Sequence, residues 1–228
     1  MISDSCFRNK VKEMSYTEQE WRDRIKSRTD LCSQVTHLTK SNQVGDNCLS
    51  ALDILIKILQ DRKIIGSTTS SGFIVGKKLA VCFQDAPLYS ICQNVEFELK
   101  KQKESEEKSP KYVAKYEAYG LMFPKQYVYS KEGRPVIYEN TKYAKQMLPE
   151  KEWWRIVNYD LSDPNNIIDW SHEREWRVPG DFEFNIEEAT VLVMNTIDFK
   201  EFMRKAGELD SKIATQIKSI VPLGVIFV

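Results

Sequence analysis

Apolar residues recur along the chain at two spacings, and each spacing predicts a different type of element. Residues 47–62, NCLSALDILIKILQDR, repeat apolar side chains every three or four positions, which is typical of an amphipathic helix. Asp46 and Asn47 are alternative N-caps for this helix. Two further helices are predicted over 197–206 and 210–219.

Two other segments predict helices that lie at the surface. Residues 15–28 open with a capping-box pattern in which Ser15 is the cap, and they carry Trp21 and Ile25 four positions apart. Only a narrow stripe of this helix would then contact the rest of the protein. Residues 98–117 are a run of mixed charge interrupted by a proline, which predicts an exposed helix followed by a loop.

Short apolar or alternating runs predict strands. The predicted strands are 34–39, 64–67, 79–83, 119–123, 134–138, 172–178, 190–194 and 223–228. Pro135 lacks a backbone donor, so its strand should lie at the edge of a sheet or begin there. Residues 153–160 fit a helix or a strand equally.

The predicted helices come mostly near the N-terminus, and predicted strands dominate the middle and the end of the chain. This order places the protein in the α+β class, with a mixed or mostly antiparallel sheet. A length of 228 residues fits one domain with an appendage. We expect residues 1–30 to form an N-terminal helical extension and residues 31–228 to form a single domain.

Composition limits the kinds of partner. The 33 Lys and Arg balance 33 Asp and Glu, so the protein has no overall positive field with which to hold nucleic acid or a membrane surface. The five cysteines are scattered and contain no Cys-x-x-Cys pair, which indicates free thiols in a reducing compartment. Since no run reaches about 20 apolar residues, we expect a cytoplasmic protein without a membrane partner.

Several common sites are excluded by spacing. The nine glycines form no Gly-x-Gly-x-x-Gly, so the usual dinucleotide loop is missing. Residues 72–78 are too short between their glycines for a phosphate loop, and no metal site is expected. With two histidines and no His-Glu-x-x-His or Gly-x-Ser-x-Gly, a zinc hydrolase or serine esterase is difficult to assemble.

The segment 169–180, DWSHEREWRVPG, carries the strongest candidate chemistry. As a strand, it would place Glu173, Glu175 and Arg177 on one face. The other face would carry His172, Arg174, Trp176 and Val178. Two neighbouring carboxylates raise the pKa of one of them, which suits a group that binds a substrate hydroxyl or moves a proton.

Structural alternatives remain open for these residues. As a helix, the segment would pair Glu173 with Arg177 in an i,i+4 salt bridge and use Ser171 as its N-cap. His37, on the predicted strand 34–39, could be a hydrogen-bonded core or edge residue rather than a ligand-binding one. The Ser/Thr run 67–71 is typical of a loop.

Taken in order, these segments resemble a known family. The matching elements are His37-Leu-Thr39, Ala80-Val-Cys-Phe83 with the following Gln-Asp-Ala-Pro-Leu, Tyr119-Gly-Leu-Met-Phe123, Gly133-Arg-Pro-Val-Ile-Tyr138, and Trp170-x-x-Glu173-Arg-Glu175-Trp-Arg177. Over roughly residues 33–195 the chain is similar to bacterial ADP-ribosyltransferase-like domains, in particular those linked to phage defence, abortive infection and toxin–antitoxin systems.

The resemblance implies an ADP-ribosyltransferase-like fold, in which two small mixed or antiparallel sheets flanked by helices form a cleft. NAD would bind in that cleft as a substrate, without a glycine-rich turn. His37, with Thr39 on the same segment, would hold the adenosine side, and Arg177 would help to hold the anionic dinucleotide.

The resemblance also implies the catalytic groups. Glu175 would hydrogen-bond the nicotinamide ribose and stabilise the cationic transition state. Glu173 would orient the acceptor or raise the pKa of the pair. An aromatic ring would stack on nicotinamide, with Tyr138, Tyr119 and Phe83 as alternatives.

Three functions follow as hypotheses. The first is an NAD-dependent mono-ADP-ribosyltransferase, an intracellular toxin or phage-defence effector that modifies a protein or a nucleic acid and has an antitoxin or chaperone partner. The second is a catalytically reduced binding module on the same fold, such as an antitoxin or a phage-encoded inhibitor. The third is a nuclease or nucleic-acid-binding protein that uses the two glutamates with Lys77 and Lys78, and zero net charge disfavours it.

Overall fold

The computed structural model describes residues 15–44, 47–105, 112–210 and 212–226. Helices and strands are interleaved along the chain, and both faces of a central mixed sheet are packed. The α+β class predicted from the sequence is therefore confirmed. The four cysteines within the described residues are free thiols, as predicted, and Cys6 lies outside that range.

The described residues form seven α-helices and thirteen strands. The helices are α1 (Glu18–Lys26), α2 (Ala51–Asp61), α3 (Leu88–Glu104), α4 (Lys125–Ser130), α5 (Thr141–Met147), α6 (Thr196–Leu209) and α7 (Ile213–Gln216). The strands are β1 (Gln34–Leu38), β2 (Asn42–Val44), β3 (Asn47–Leu49), β4 (Lys63–Ile64), β5 (Ala80–Gln84), β6 (Gly120–Pro124), β7 (Arg134–Pro135), β8 (Ile137–Glu139), β9 (Ile156–Asn158), β10 (Glu175–Pro179), β11 (Phe182–Glu183), β12 (Thr190–Val193) and β13 (Ser219–Pro222). Short 3₁₀ turns cover 69–71, 150–155, 171–173, 186–188 and 223–225.

Seven strands form one sheet in the order β13-β12-β6-β1-β5-β10-β7. All neighbours are antiparallel except β12 and β13, which run parallel, so the mixed, mostly antiparallel sheet is confirmed. Pro135 lies in β7 at the edge of this sheet, as its missing donor predicts. Three smaller pairs, β11 with β4, β2 with β3 and β8 with β9, stand beside the main sheet.

The pairing within the main sheet is least extensive between β1 and β5. β1 pairs with β6 over five residue pairs, and β5 pairs with β10 over five, whereas β1 and β5 share the single pair Thr36↔Gln84. Beside this pair, the His37 ring of β1 contacts the Cys82 carbonyl of β5. The sheet therefore consists of two well-paired halves joined at one point, which we call the fork.

Side-chain alternation along the strands divides the core between the two faces of the sheet. Val191 and Val193 of β12 pack with α2 and α6 in the larger cluster, and Leu192 between them packs with α3 in the smaller one. Successive residues of a strand point to opposite faces. Hence α2 and α6 cover one face and α3 covers the other.

Two helix starts differ from the predicted ones. The first helix is capped by Thr17 rather than Ser15, because the Thr17 hydroxyl accepts from the Glu20 amide and the Glu20 carboxylate accepts in return. The second is capped by Ser50 in the same way with Asp53. Asn47 belongs to β3 instead, and Asp46 lies outside the described residues.

The segment 169–180 is neither a full strand nor the helix that was the alternative. Residues 171–173 form a 3₁₀ turn, Arg174 takes a left-handed conformation with φ 48°, and the strand starts only at Glu175. The left-handed residue breaks the two-residue alternation. The predicted strand alternation therefore holds for Glu175 and Arg177, whereas Glu173 lies in the preceding turn and reaches the same cavity from there.

Other boundaries were wrong because pairing partners decide them. The predicted strand 134–138 is split between two sheets, as β7 and β8. The last strand is Ser219–Pro222, whereas residues 223–225 form a 3₁₀ turn. Residues 153–160, which fit a helix or a strand by pattern, hold the end of a 3₁₀ turn followed by β9. The charged helix α3 begins at Leu88, before the predicted 98, and ends at Glu104.

Candidate active site

A cavity of about 450 Å³ lies at the fork of the main sheet. Its walls come from both halves of the sheet. Thr36 and His37 of β1, Cys82 and Gln84 of β5, and Glu175 and Arg177 of β10 contribute to them. The cavity is thus lined by the strands that meet where β1 and β5 share only one residue pair.

Glu175 and Arg177 form a buried ion pair on one wall. The Arg177 Nε donates to Glu175 Oε1 at 2.7 Å, and Nη2 lies 3.3 Å from Oε2. Both residues are nearly inaccessible, at 6% and 3% exposure. Because a carboxylate offers about four lone-pair sites, Glu175 keeps acceptor capacity for a ligand after pairing with Arg177.

Arg177 uses all its donors within the protein. Beside its two bonds to Glu175, Nη1 donates to the carbonyls of Trp154 at 2.8 Å and Ile156 at 3.0 Å, and Nη2 donates to that of Phe73 at 3.1 Å. A guanidinium has five N–H donors in all. Arg177, predicted to hold an anionic dinucleotide, therefore has no donor left for one and instead positions Glu175.

Glu173 lines the same cavity from the turn that precedes the strand. Burial, and then the neighbouring Glu175 carboxylate, raise the pKa of Glu173 to about 7. The predicted pair of carboxylates with one raised pKa is thus present, and the residue that carries it is Glu173. Near neutral pH, such a group can give or take a proton.

His37 lies across the fork. Its Nδ1 lies 2.8 Å from the carbonyl oxygen of Cys82, and its ring packs edge-on against Phe83 with centroids 5.8 Å apart. A carbonyl cannot donate, so Nδ1 carries the hydrogen and Nε2 is the acceptor in the neutral ring. Burial lowers the pKa of His37, which favours this neutral form. The structural interpretation of His37 is confirmed, since its ring bonds the Cys82 carbonyl across the strands, and His37 also lines the cavity.

Two threonines of this region differ in their partners. The Thr39 hydroxyl donates to the Ala51 carbonyl and lies near that of Tyr119, so it fixes the end of β1 to α2 while lining the cavity. The Thr36 hydroxyl is 1% exposed, lines the cavity, and has no hydrogen-bond partner among the described residues. A buried polar group without a partner is costly, so a ligand that bonds Thr36 would recover that cost.

The three aromatic candidates occupy different places. Phe83 lines the cavity while packing against Phe182 in the core. The Tyr138 hydroxyl accepts from the Glu175 amide at 2.7 Å and so supports the start of β10. Tyr119 packs against the larger core cluster and is not among the described residues that line the cavity.

Many of the lining residues were not assigned to the site from the sequence, and three of them have large side chains at its sides. Lys115 and Trp170 meet at one side of the cavity, with the Lys115 Nζ 3.5 Å from the centre of the Trp170 ring. Phe73, with a side chain 63% exposed, lies on another side. Lys115 and Phe73 come from loops far from β1 and β10 in sequence, so no local spacing could have placed them here. Trp170 lies five positions before β10 and belongs to the motif that carries the resemblance.

The chain was compared with family models, with curated proteins and with solved structures, and no match was found. Within the described ranges, no helix combines the length and the apolar character needed to cross a bilayer.

Proposed function

We propose that the protein is an NAD-dependent mono-ADP-ribosyltransferase with its catalytic centre at the fork. The observation that carries this proposal is the meeting of Glu173, Glu175 and His37 in one cavity between two halves of a sheet. The resemblance described above implies a cleft formed by two small sheets, with a histidine on the first strand and a glutamate late in the chain. Here the strands that line the cavity belong to one seven-stranded sheet.

The chemistry requires a negative group beside a sugar that becomes cationic. The bond between C1′ of the nicotinamide ribose and the ring nitrogen of nicotinamide breaks, and its electron pair leaves with neutral nicotinamide. The Glu175 carboxylate accepts a hydrogen bond from a ribose hydroxyl and stabilises the positive charge that develops at C1′. Arg177 holds that carboxylate at 2.7 Å, so its orientation is set before substrate binds.

The acceptor then completes the transfer. Its nucleophilic atom supplies the electron pair of the new bond to C1′ and loses a proton. Glu173 takes that proton in its ionised form, since its pKa of about 7 leaves a large fraction ionised at neutral pH. His37 and the unpartnered Thr36 hydroxyl offer polar contacts to the rest of the dinucleotide.

The test is release of nicotinamide from NAD carrying a labelled adenylate, in the presence of cell lysate. Wild-type protein should release nicotinamide and transfer label to a macromolecule. Glu175→Gln should slow both by about 100- to 1000-fold, the usual effect of removing one electrostatic contact to a transition state. Glu187→Gln, an exposed carboxyl on a surface turn, is the matched control and should behave as wild type.

Two outcomes would contradict the proposal. If Glu175→Gln and Glu187→Gln release nicotinamide equally, Glu175 has no catalytic role. If wild-type protein is stabilised by NAD against heat but releases no nicotinamide with any acceptor, the catalytically reduced binding module is the better assignment. A toxin or defence effector should also arrest growth when expressed, and the Glu175→Gln protein should not.

A further inference from the structure

Aromatic rings and lysines alternate along a surface that ends at the cavity. Lys101 Nζ lies 4.9 Å from the ring centre of Phe97 and 5.6 Å from that of Tyr112. Lys115 Nζ lies 5.9 Å from the same Tyr112 ring and 3.5 Å from Trp170. We call these five residues the aromatic–lysine stripe.

The two lysines of the stripe form no close ion pair among the described residues, and the carboxylates that act on Lys115 from farther away are Glu98 and Glu173. Neither Lys101 nor Lys115 forms an ion pair within 4 Å of a carboxylate of the described residues, whereas the nearby Lys100 pairs with Glu104. Their ammonium groups lie over rings instead, and Phe97 at the far end is 57% exposed. Phe97 and Lys101 are exposed, whereas Tyr112, Lys115 and Trp170 are half-buried. A base that stacks on Trp170 therefore has to share this ring with the Lys115 ammonium group.

The stripe is held in place from beneath by a buried carboxyl. Glu98, which is 4% exposed, accepts from the Tyr112 hydroxyl at 2.7 and 2.9 Å and from the Lys115 amide at 2.8 Å. The Ala114 amide donates to Gln102 Oε1 in the same way. Because the segment is fixed to α3 before binding, little conformational entropy is lost when a ligand arrives.

An interleaved row of cations and rings suits one class of polymer. In a single strand of DNA or RNA, phosphates alternate with bases that are free to stack, and proteins bind such strands with lysines for the phosphates and aromatic rings for the bases. A duplex hides its base faces. The net charge of zero means that the protein as a whole does not attract nucleic acid. It does not prevent a local row of lysines and rings from binding a strand.

We propose that the aromatic–lysine stripe binds single-stranded nucleic acid and leads one of its bases into the cavity as the acceptor of ADP-ribose. The acceptor part rests on the proposed transferase function, and the binding part does not. Lys115 and Trp170 belong to both the stripe and the cavity wall, so a strand on the stripe reaches the reacting centre. There an N–H group of the base forms the bond to C1′ and loses its proton.

Binding is tested first, without NAD. Fluorescence anisotropy with labelled 12-residue oligo-dT and oligo-U should show binding at 50 mM salt. Two phosphate contacts predict affinity about sevenfold weaker at 200 mM, from a slope near −0.7 per contact. Lys101→Gln with Lys115→Gln should remove this salt dependence, and Trp170→Ala should weaken binding about 5- to 150-fold by loss of one stacked base.

The matched control is Lys200→Gln with Lys212→Gln, two exposed lysines of the α6 and α7 region, which should bind as wild type does. The stripe proposal is overturned if wild type does not bind either oligonucleotide at 50 mM salt, or if the stripe and control variants bind equally. A circular dichroism melt of each variant confirms that it is folded.

The acceptor is tested second, with labelled NAD and the same oligonucleotides. Label that resists protease and is released by nuclease supports the proposal, and label confined to protein overturns the acceptor assignment. Failure of the transferase itself is recognised separately, because it abolishes nicotinamide release in every sample while leaving the anisotropy unchanged.

Discussion

Glu173 and Glu175 are two positions apart in the chain, but the structure gives them different surroundings. Glu175 is held by Arg177 at 2.7 Å. Glu173 has no ion pair among the described residues, and burial beside Glu175 raises its pKa to about 7. Different partners therefore separate two identical side chains into an anchored anion and a group that exchanges a proton near neutral pH.

Glu173→Gln should change how stability depends on pH. The pKa of Glu173 rises from 4.5 in the unfolded chain to about 7 in the folded protein. Glu173 therefore stabilises the folded state fully when the pH is below the pKa of the unfolded chain. This stabilisation is lost as the pH rises through the pKa of the folded protein. Wild type should lose about 3 kcal/mol of unfolding free energy between pH 4.5 and 8 relative to the variant. Urea denaturation of both proteins across that range measures the difference, and parallel curves would contradict the raised pKa.

For single residues, the sequence predicts which side chains meet at the site better than it predicts what each of them does there. Glu-x-Glu spacing predicts a raised pKa in one member, since two like charges so close cannot both ionise easily. It does not predict which member, because that depends on Arg177. The five bonds of Arg177 were not predictable either, since three of their acceptors are carbonyls of residues 73, 154 and 156.

Among the elements, the fork between β1 and β5 has the largest effect on the site. Periodicity predicts both strands correctly to within about a residue at each end, because it reports local burial. It does not report which strands pair or over what length, so neither the fork nor the division of 134–138 between two sheets could be predicted. The edge position of β7 could be, because Pro135 lacks a donor whatever its neighbours are.

Gly120 of β6 keeps the fork in place from the other side of β1. A Cβ at this position would lie 2.2 Å from the His37 carbonyl oxygen, too close for the backbone to tolerate without moving. Gly120→Ala should therefore cost about 1–3 kcal/mol or more of unfolding free energy and displace His37. Thermal melts measure the first effect, and the NAD-induced rise in melting temperature measures the second.

The control for this prediction is another glycine with free space. Gly207 lies in α6, and a Cβ at this position would have nothing within 4 Å of it. Gly207→Ala should raise stability by about 0.5–1 kcal/mol, because alanine favours a helix over glycine. Equal destabilisation by the two substitutions would show that close approach at β1 is not the cause.

Across the whole molecule, helix α1 is only loosely tied to the core. It has no buried residue, and Trp21 and Ile25 are its half-buried ones, as the narrow stripe predicted. The salt bridge between Arg22 and Glu18 lies within the helix and is exposed to solvent. Exposed ion pairs contribute little to the free energy of unfolding. The helix therefore adds little to the core.

Removal of residues 1–26 tests the prediction of an N-terminal extension. We expect the truncated protein to melt within about 4 °C of the full chain, since a loss of 1 kcal/mol shifts the melting temperature of a protein this size by about 2–4 °C. Asp30, whose carbonyl accepts from Arg174, is retained. A fall of more than about 10 °C, several times that shift, would mean that this segment belongs to the folded domain.

Arg177 has a further consequence for motion. The carbonyls of Phe73, Trp154 and Ile156 converge on its guanidinium, so none of these segments can move away without leaving a buried charge short of a partner. They should then open together, as one cooperative unit, rather than fray separately. The loop that carries Phe73 also lines the cavity. Any displacement of its backbone would therefore remove one of the five contacts that hold the Arg177 guanidinium against the Glu175 carboxylate.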